Sequence, residues 1–429
     1  MIHEDLSEER SFMHIFQKII KSFRKLRTGI ENRPLLTRII SLFIVTVIFI
    51  LGIKAFVEAG ALIENSGSES KSGAYDVDLL YYNTLSLKQK NLYAAIADAA
   101  AVCAEYSDSL PYSYERDDIE LVNRFLKAEN PGLFYVDFDG IQIKVSSHRS
   151  MVKMAYFASP DKIDVMKTEL DEKTKEITDG MKTTGQFSED IEKELFLHDA
   201  LIGACRIKQD TDEKAGLFGT AYGALVLGEA YSDGYAQAFQ LLLSESGIYS
   251  ALVSGKTVPE SSEDESWPIY WNLVHADGSY YYTNVFRDDP EIQDDPSFAF
   301  HTYFNLDYEE ICESHTPTDG TLIPLSDNEF NYYKEAGLTA DSGEKLTALF
   351  EKLIEDAVSR ETRYGELYTE FSPLSDTVYN SMLSAIRSVN SRMAESGAES
   401  GKKIIEVADI TKISAFSDAV LFKLYFAEN

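Results

Sequence analysis

Cysteine is scarce: the 429 residues contain three, Cys103, Cys205 and Cys312. An odd number leaves at least one unpaired unless it bridges two chains, and no spacing of cysteine with histidine matches a zinc motif. Neither a disulfide framework nor a metal site is expected. Cys103 falls at helical spacing with Leu92, Ile96 and Ala99, and Cys205 with Ile191, Leu195 and Ile202, so both read as small buried hydrophobes. Basic side chains are also in short supply, 40 against 71 acidic ones, for a formal charge of −31. Such a surface repels nucleic acid and anionic headgroups, which excludes a phosphate-tracking role. The acidic run "DDPEIQDD" at 288–295 lacks EF-hand spacing and reads as a solvated loop.

One long apolar run stands out. Ile39 to Ile53 carries no charge, and continuing through Ala55, Phe56 and Val57, with Lys54 able to snorkel, brings it to the length a bilayer requires. Lys18, Lys21, Arg24, Lys25, Arg27, Arg33 and Arg38 precede it, so the positive-inside rule places the N-terminus in the cytoplasm. The expected layout is a cytoplasmic basic segment at 1–38, a single-pass membrane anchor at 39–60 and a linker at 61–75. Within the first segment, residues 11–28 alternate apolar and basic positions as an inner-leaflet amphipathic helix would. The run lacks a small-residue cleavage site, as expected of an uncleaved anchor. Everything beyond is expected outside the cell, where residues 64–429 carry 31 basic and 65 acidic side chains, a net −34.

Three folded segments are expected in that ectodomain: 76–185, 186–325 and 326–429. In the first, Ser86 with Gln89 spells a capping box for a helix to about Cys103. A helix near 117–128, a strand pair around "GLFYVDFDGIQIKV" and a long helix at about 160–181 follow. In the second, Ser188 is placed to cap a helix running to Cys205, with His198 on its apolar face as a satisfied core histidine. Asp277-Gly278 signals a two-residue hairpin, which sets 276 opposite 279 and 271 opposite 284. The third has helices built on Leu346, Leu349, Phe350 and Leu353 and on Val378, Met382, Ile386 and Val389, then two apolar strands, and reads as a small α/β domain.

The stretch "GEAYSDGYAQAFQLLLSESGI" at 228–248 brings small residues to a turn and opens a helix at Ser232. A cysteine there would have a lowered pKa at the positive end of the helix dipole. Serine instead is a good N-cap. With "FLHDALIGACRI" before it and "YWNLVHADGSYYYTNVFRDDP" after it, this stretch resembles the core of the bacterial transglutaminase-like superfamily over about 190–290. Residues 76–185 resemble the lead-in domain that precedes such cores in exported proteins of Gram-positive bacteria. The resemblance implies an α+β fold, a papain-like core with a central helix on an antiparallel sheet, and a Cys–His–Asp triad. Here those positions hold Ser232, Ile269 and Asn284. Serine needs a base, isoleucine cannot be one, and no histidine of the segment is placed for Asn284 to orient.

The expected function is therefore a membrane-anchored, extracytoplasmic, catalytically inactive domain that binds a polypeptide or a cell-wall component, with no cofactor or metal. Tyr235, Tyr270 and Trp271 are the candidate groove residues. The alternative is a cryptic serine-dependent peptidase or acyl transferase at the same place, with Asp233, Lys256 or His198 as its base. A third possibility is a purely structural acidic coat protein.

Overall fold

The computed structural model describes residues 80–426, apart from 111, 147–148, 186, 210–214, 259–267, 319–329, 396–404 and 415–416. The expected basic segment, anchor and linker lie outside the described residues. The architecture is mixed α+β, with helices packed on sheets that are antiparallel except for short parallel pairings.

Helix α1 (Leu87–Ala101) opens with the expected capping box, Ser86 Oγ accepting the Gln89 N–H at 3.3 Å while the Gln89 side chain accepts the Ser86 N–H at 3.0 Å. Cys103 is not on its apolar face: α1 ends at Ala101, and Cys103 takes a positive φ of 49° just beyond. Helix α2 (Arg116–Glu129) buries Ile119, Val122, Phe125 and Leu126 at helical spacing. The expected strand pair shifts downstream. Residues 131–133 and 138–140 are single 3-10 turns, and the pairing is between β1 (Gln142–Ser146) and β2 (Arg149–Lys153). Turn chemistry wins over the β-propensity of Phe134, Tyr135 and Val136: Asn130-Pro131-Gly132 starts one turn, and the Asp137 carboxylate accepts the Gly140 N–H in the other.

Helix α3 (Pro160–Thr184) leads into α4 (Asp190–Ala204). The cap of α4 is Glu189, paired reciprocally with Glu192, rather than Ser188, whose N–H donates to Glu192 Oε2 at 2.8 Å. Helix α5 (Ser232–Glu245) is central and lies on a four-stranded antiparallel sheet. That sheet runs β5-β4-β3-β6, from β3 (Tyr249–Thr257), β4 (Ile269–Ala276), β5 (Ser279–Thr283) and β6 (His315–Pro317). The hairpin register is as read from the sequence: Ala276 pairs with Ser279 and Asn272 with Thr283, which carries 271 opposite 284. After β5 the chain turns into a short helix, α6 (Val285–Asp288).

Helices α1 to α5 and the near face of the sheet share one hydrophobic core, in which Leu92, Val122, Leu197, Phe239 and Leu242 meet. The break at 185 is thus a break in the sequence pattern but not in the core. A second core belongs to the C-terminal segment. There α7 (Gly343–Ser359) and α8 (Asp376–Glu395) cover a sheet of order β9-β10-β8-β7. Its strands are β7 (Thr339–Ala340), β8 (Tyr364–Thr369), β9 (Ile405–Lys412) and β10 (Ala419–Phe426), all antiparallel except β7 with β8.

Asp277 holds the hairpin and α4 together. It takes a positive φ of 47° beside Gly278 in the turn, and its carboxylate accepts the N–H groups of Asp190 and Ile191, both at 3.0 Å. Replacing it by alanine removes a helix-end acceptor and strains the turn, so Asp277→Ala should cost about 1–2 kcal/mol. Asp277→Asn, which tolerates this backbone and keeps an acceptor oxygen, should recover most of that loss in urea unfolding.

Candidate functional site

The start of α5 is reached by small residues because little else fits. A Cβ on Gly234 would meet Phe218 O and the Ala230 side chain, and one on Gly219 would meet the Asp233 carboxylate at 2.5 Å. This close approach sets Ser232, Asp233 and Tyr231 into the wall of a cleft of about 1390 Å³, lined also by Tyr270 on β4 and by Asn123 and Lys127 of α2.

Ser232 is the first helical residue, with Tyr231 in the N-cap position and no side-chain cap. The expectation that Ser232 caps its own helix is corrected: its Oγ accepts the Tyr270 N–H at 3.3 Å and ties the helix to the strand. Among the described residues no histidine, lysine or carboxylate hydrogen-bonds to that hydroxyl, so its O–H is left for whatever enters the cleft. The neighbouring Asp233 is committed elsewhere, with Lys127 Nζ 2.7 Å from its Oδ2 and the same ammonium 4.9 Å from the Tyr270 ring centroid. Burial alone would lower the Lys127 pKa, but Asp233 and Tyr270 outweigh it and hold the lysine above its usual value. Lys256, the other candidate base in this region, is exposed on β3.

The remaining predicted positions turn elsewhere. Asn272 donates to Ala236 O at 2.9 Å, so its side of β4 faces α5. Tyr270 has the same parity; Ile269 and Trp271 have the opposite one and pack with Leu273 and Tyr282 in a separate cluster. Trp271 is fully buried and so is no groove residue. Tyr235 is buried as well, its hydroxyl donating to Asp289 Oδ2 at 2.6 Å, and burial drives its pKa upward. Of the three groove candidates, only Tyr270 lines the cleft.

Asn284 does have a ring beside it, supplied by a strand that the sequence reading did not connect to it. Its Oδ1 accepts the Arg287 N–H at 3.2 Å, which turns Nδ2 toward His315 Nε2 at 3.0 Å. Nε2 is then the acceptor, and Nδ1–H donates to Ser314 Oγ at 2.7 Å. Burial, helped by the Arg287 charge, lowers the His315 pKa to about 4, so the ring is neutral. It lies 4.9 Å from the Trp271 ring centroid. The pair fixes structure on the side of the sheet away from α5.

Behind α5 lies a second polar assembly. His198, fully buried as expected of a satisfied core histidine, faces Asp199 Oδ1 at 2.9 Å through Nδ1 and Asp288 Oδ2 at 3.2 Å through Nε2. His301 faces the same Asp199 oxygen at 2.9 Å and Glu366 Oε1 at 2.5 Å. Burial would lower the His301 pKa, but Glu366 and Asp199 raise it to about 10. Burial would raise that of Asp199, but the two histidines hold it below the usual carboxylate range. Donor atoms of His198, Asp199 and His301 all lie within 4.8 Å of one another, a grouping that no spacing in the sequence marks. The "HD" at 198–199 was the one signal in the sequence; His301 and Glu366 are too distant in the chain for any spacing rule to join them. Nor is 288–295 simply a solvated loop. Asp288 is buried, Asp289 holds Tyr235, and Asp294 and Asp295 accept the hydroxyls of Tyr364 and Thr362 at 2.5 Å each.

No family model matches the chain, and no curated protein matches it. Among solved structures, it is similar to a chain described as "Crystal structure of a TGase", with 8% identity and a TM-score of 0.25 over 55% of this chain and 58% of that one.

One turn before His198, Glu194 is fully buried; burial raises its pKa to about 7, against the opposing hydrogen bonds of Asn305 and Thr283. A carboxyl whose folded pKa lies above its unfolded value stabilises the fold most while protonated. That stability is present below about pH 4.5, falls as the pH rises toward 7, and is then constant at its lower level. Glu194→Gln should therefore gain on the wild type through this window and lead by about 3 kcal/mol above it, with little difference near pH 4. Urea midpoints across this range check the sign.

Proposed function

We propose that this chain is a non-catalytic, transglutaminase-like binding protein whose cleft takes an extended polypeptide, displayed outside the cell by the N-terminal anchor. The observation that carries the reading is the state of Ser232: its hydroxyl stands in the cleft wall with a backbone N–H donating to it and, among the described residues, no base hydrogen-bonded to take its proton. A serine so placed is a poor nucleophile but a good hydrogen-bond donor to a carbonyl. Around it the cleft offers the ring faces of Tyr231, Tyr270 and Phe286 and the fixed charges of Lys127 and Asp233. A lining that interleaves aromatic and aliphatic side chains with charged and amide ones suits the alternating side chains and amides of a peptide better than a uniformly polar glycan. The serine-dependent peptidase or acyl transferase remains the second reading, because the cleft holds a hydroxyl at a helix start.

The full-length chain in detergent, panned against a random displayed-peptide library, should enrich peptides whose affinity falls at least tenfold on Tyr270→Ala. A fluorophosphonate probe should leave Ser232 unmodified by intact mass. Labelling that disappears in Ser232→Ala would establish the enzyme reading instead. Failure to enrich any peptide sensitive to Tyr270→Ala would remove the binding one.

A further inference from the structure

Among the described residues, one convergence of donor atoms lies away from the cleft, where His301 links α4 to β8. His198 Nδ1 and His301 Nε2 both point at Asp199 Oδ1, each from 2.9 Å. The outer nitrogen of each ring is taken by a different carboxylate, Asp288 for His198 and Glu366 for His301. Those carboxylates are held in turn. Asp288 Oδ1 accepts the Tyr303 N–H at 2.9 Å, and Glu366 Oε2 accepts the Tyr333 hydroxyl at 2.8 Å. Tyr332 stacks on the His301 ring with centroids 4.0 Å apart, which leaves that ring little freedom to swing. Two imidazoles thus turn their inner nitrogens to a common carboxylate while buried carboxylates fix their outer ones. That is the arrangement by which metal sites set ring orientation and tautomer.

We infer that His198 Nδ1, His301 Nε2 and the Asp199 carboxylate form a binding site for one divalent transition-metal ion of the zinc type, with Asp288 and Glu366 as its outer carboxylates. Two imidazoles and one carboxylate are a zinc donor set, whereas calcium and magnesium prefer oxygen alone. The three donors also differ in freedom. Both rings are buried, while the Asp199 side chain is 47% exposed. Asp199 can therefore swing off the line between the nitrogens, and on its exposed side an ion enters and a water completes four-coordination. Glu366 lies on β8 and His198 on α4, so the ion would strengthen the join between the C-terminal sheet and the rest of the fold. The competing account is that the same atoms are only a hydrogen-bonded ion-pair lattice.

The test starts from the full-length chain stripped with a chelator, incubated with zinc chloride, desalted and assayed for bound zinc by mass spectrometry. Close to one equivalent should remain on the wild type and be lost in Asp199→Ala, a half-exposed position whose replacement is checked for folding by circular dichroism. Glu366→Gln, which alters only an outer carboxylate, should retain the site with affinity weakened about 10–100-fold. Cobalt loading of the wild type should give the visible ligand-field bands of a four-coordinate centre, absent in Asp199→Ala. Failure of the wild type to hold zinc at micromolar concentrations overturns the site. So does zinc binding of unchanged affinity in Asp199→Ala, which would place the ion elsewhere.

Discussion

Much of the molecule depends on one buried carboxylate. Asp288 ends α6, is completely inaccessible, and has both oxygens occupied: the Tyr303 N–H donates to them, and His198 Nε2 meets Oδ2. A carboxylate taken out of water without partners costs several kcal/mol, so the partners are a condition of the fold and not an addition to it. Meeting that condition joins three parts of the chain that have no sequence proximity: the end of the hairpin, the middle of α4 and the segment around Tyr303. Phe300 N–H also donates to the Asp288 carbonyl, so the backbone there is fixed together with the side chain. Joined in this way, α4 and the hairpin strand β4 both pack against α5, the helix that opens at Ser232 in the environment of the cleft.

That environment separates two properties that a hydroxyl at a helix start might combine. The helix terminus supplies a positive field, which would favour an oxyanion. Proton removal needs a base, and the closest acidic group in the chain, Asp233, is neutralised by Lys127 at 2.7 Å. The lysine is in turn held charged by the aspartate and the Tyr270 ring, so neither partner is free to shuttle a proton. What is left is a donor O–H, an aromatic face and a local charge pair with no net charge.

The legible part of the fold was the part written in local rules. The Ser86–Gln89 box, the Asp277-Gly278 turn and the apolar stripes of α7 and α8 each need only a few consecutive or periodic residues, and each forms where the pattern puts it. The turns at 131–140 escaped because the β-propensity of Phe134 to Val136 and the turn chemistry on either side point in opposite directions. At the site, sequence spacing placed Ile269 and Asn284 on one sheet face, as the hairpin register requires, but could not say on which side α5 would lie. Asn272, whose amide reaches Ala236 O, settles that, and makes Tyr270 the strand residue whose side chain shares the cleft with Ser232. The His198–His301–Glu366 assembly was illegible for a plainer reason. Its members come from a helix, a loop and a strand of the C-terminal sheet, and no period connects them.

His315 shows that a histidine held against an amide need not be a base. A histidine does sit against Asn284, and its side chain is buried and hydrogen-bonded at both nitrogens. In a working base one nitrogen must be open to the proton it accepts, and the pKa must lie near the working pH. Here Nε2 is occupied by the Asn284 amide, Nδ1–H by Ser314, and burial with the Arg287 charge pulls the pKa down to about 4. The ring instead packs beside Trp271 and Tyr303 on the face away from α5. The Asn284–His315 contact is therefore a structural one. The same physical rule that disqualifies His315 draws attention to His198 and His301, whose inner nitrogens converge on a carboxylate that is half open to solvent. His315 is saturated by neutral partners and builds structure, whereas the inner nitrogens of His198 and His301 share one half-exposed charge.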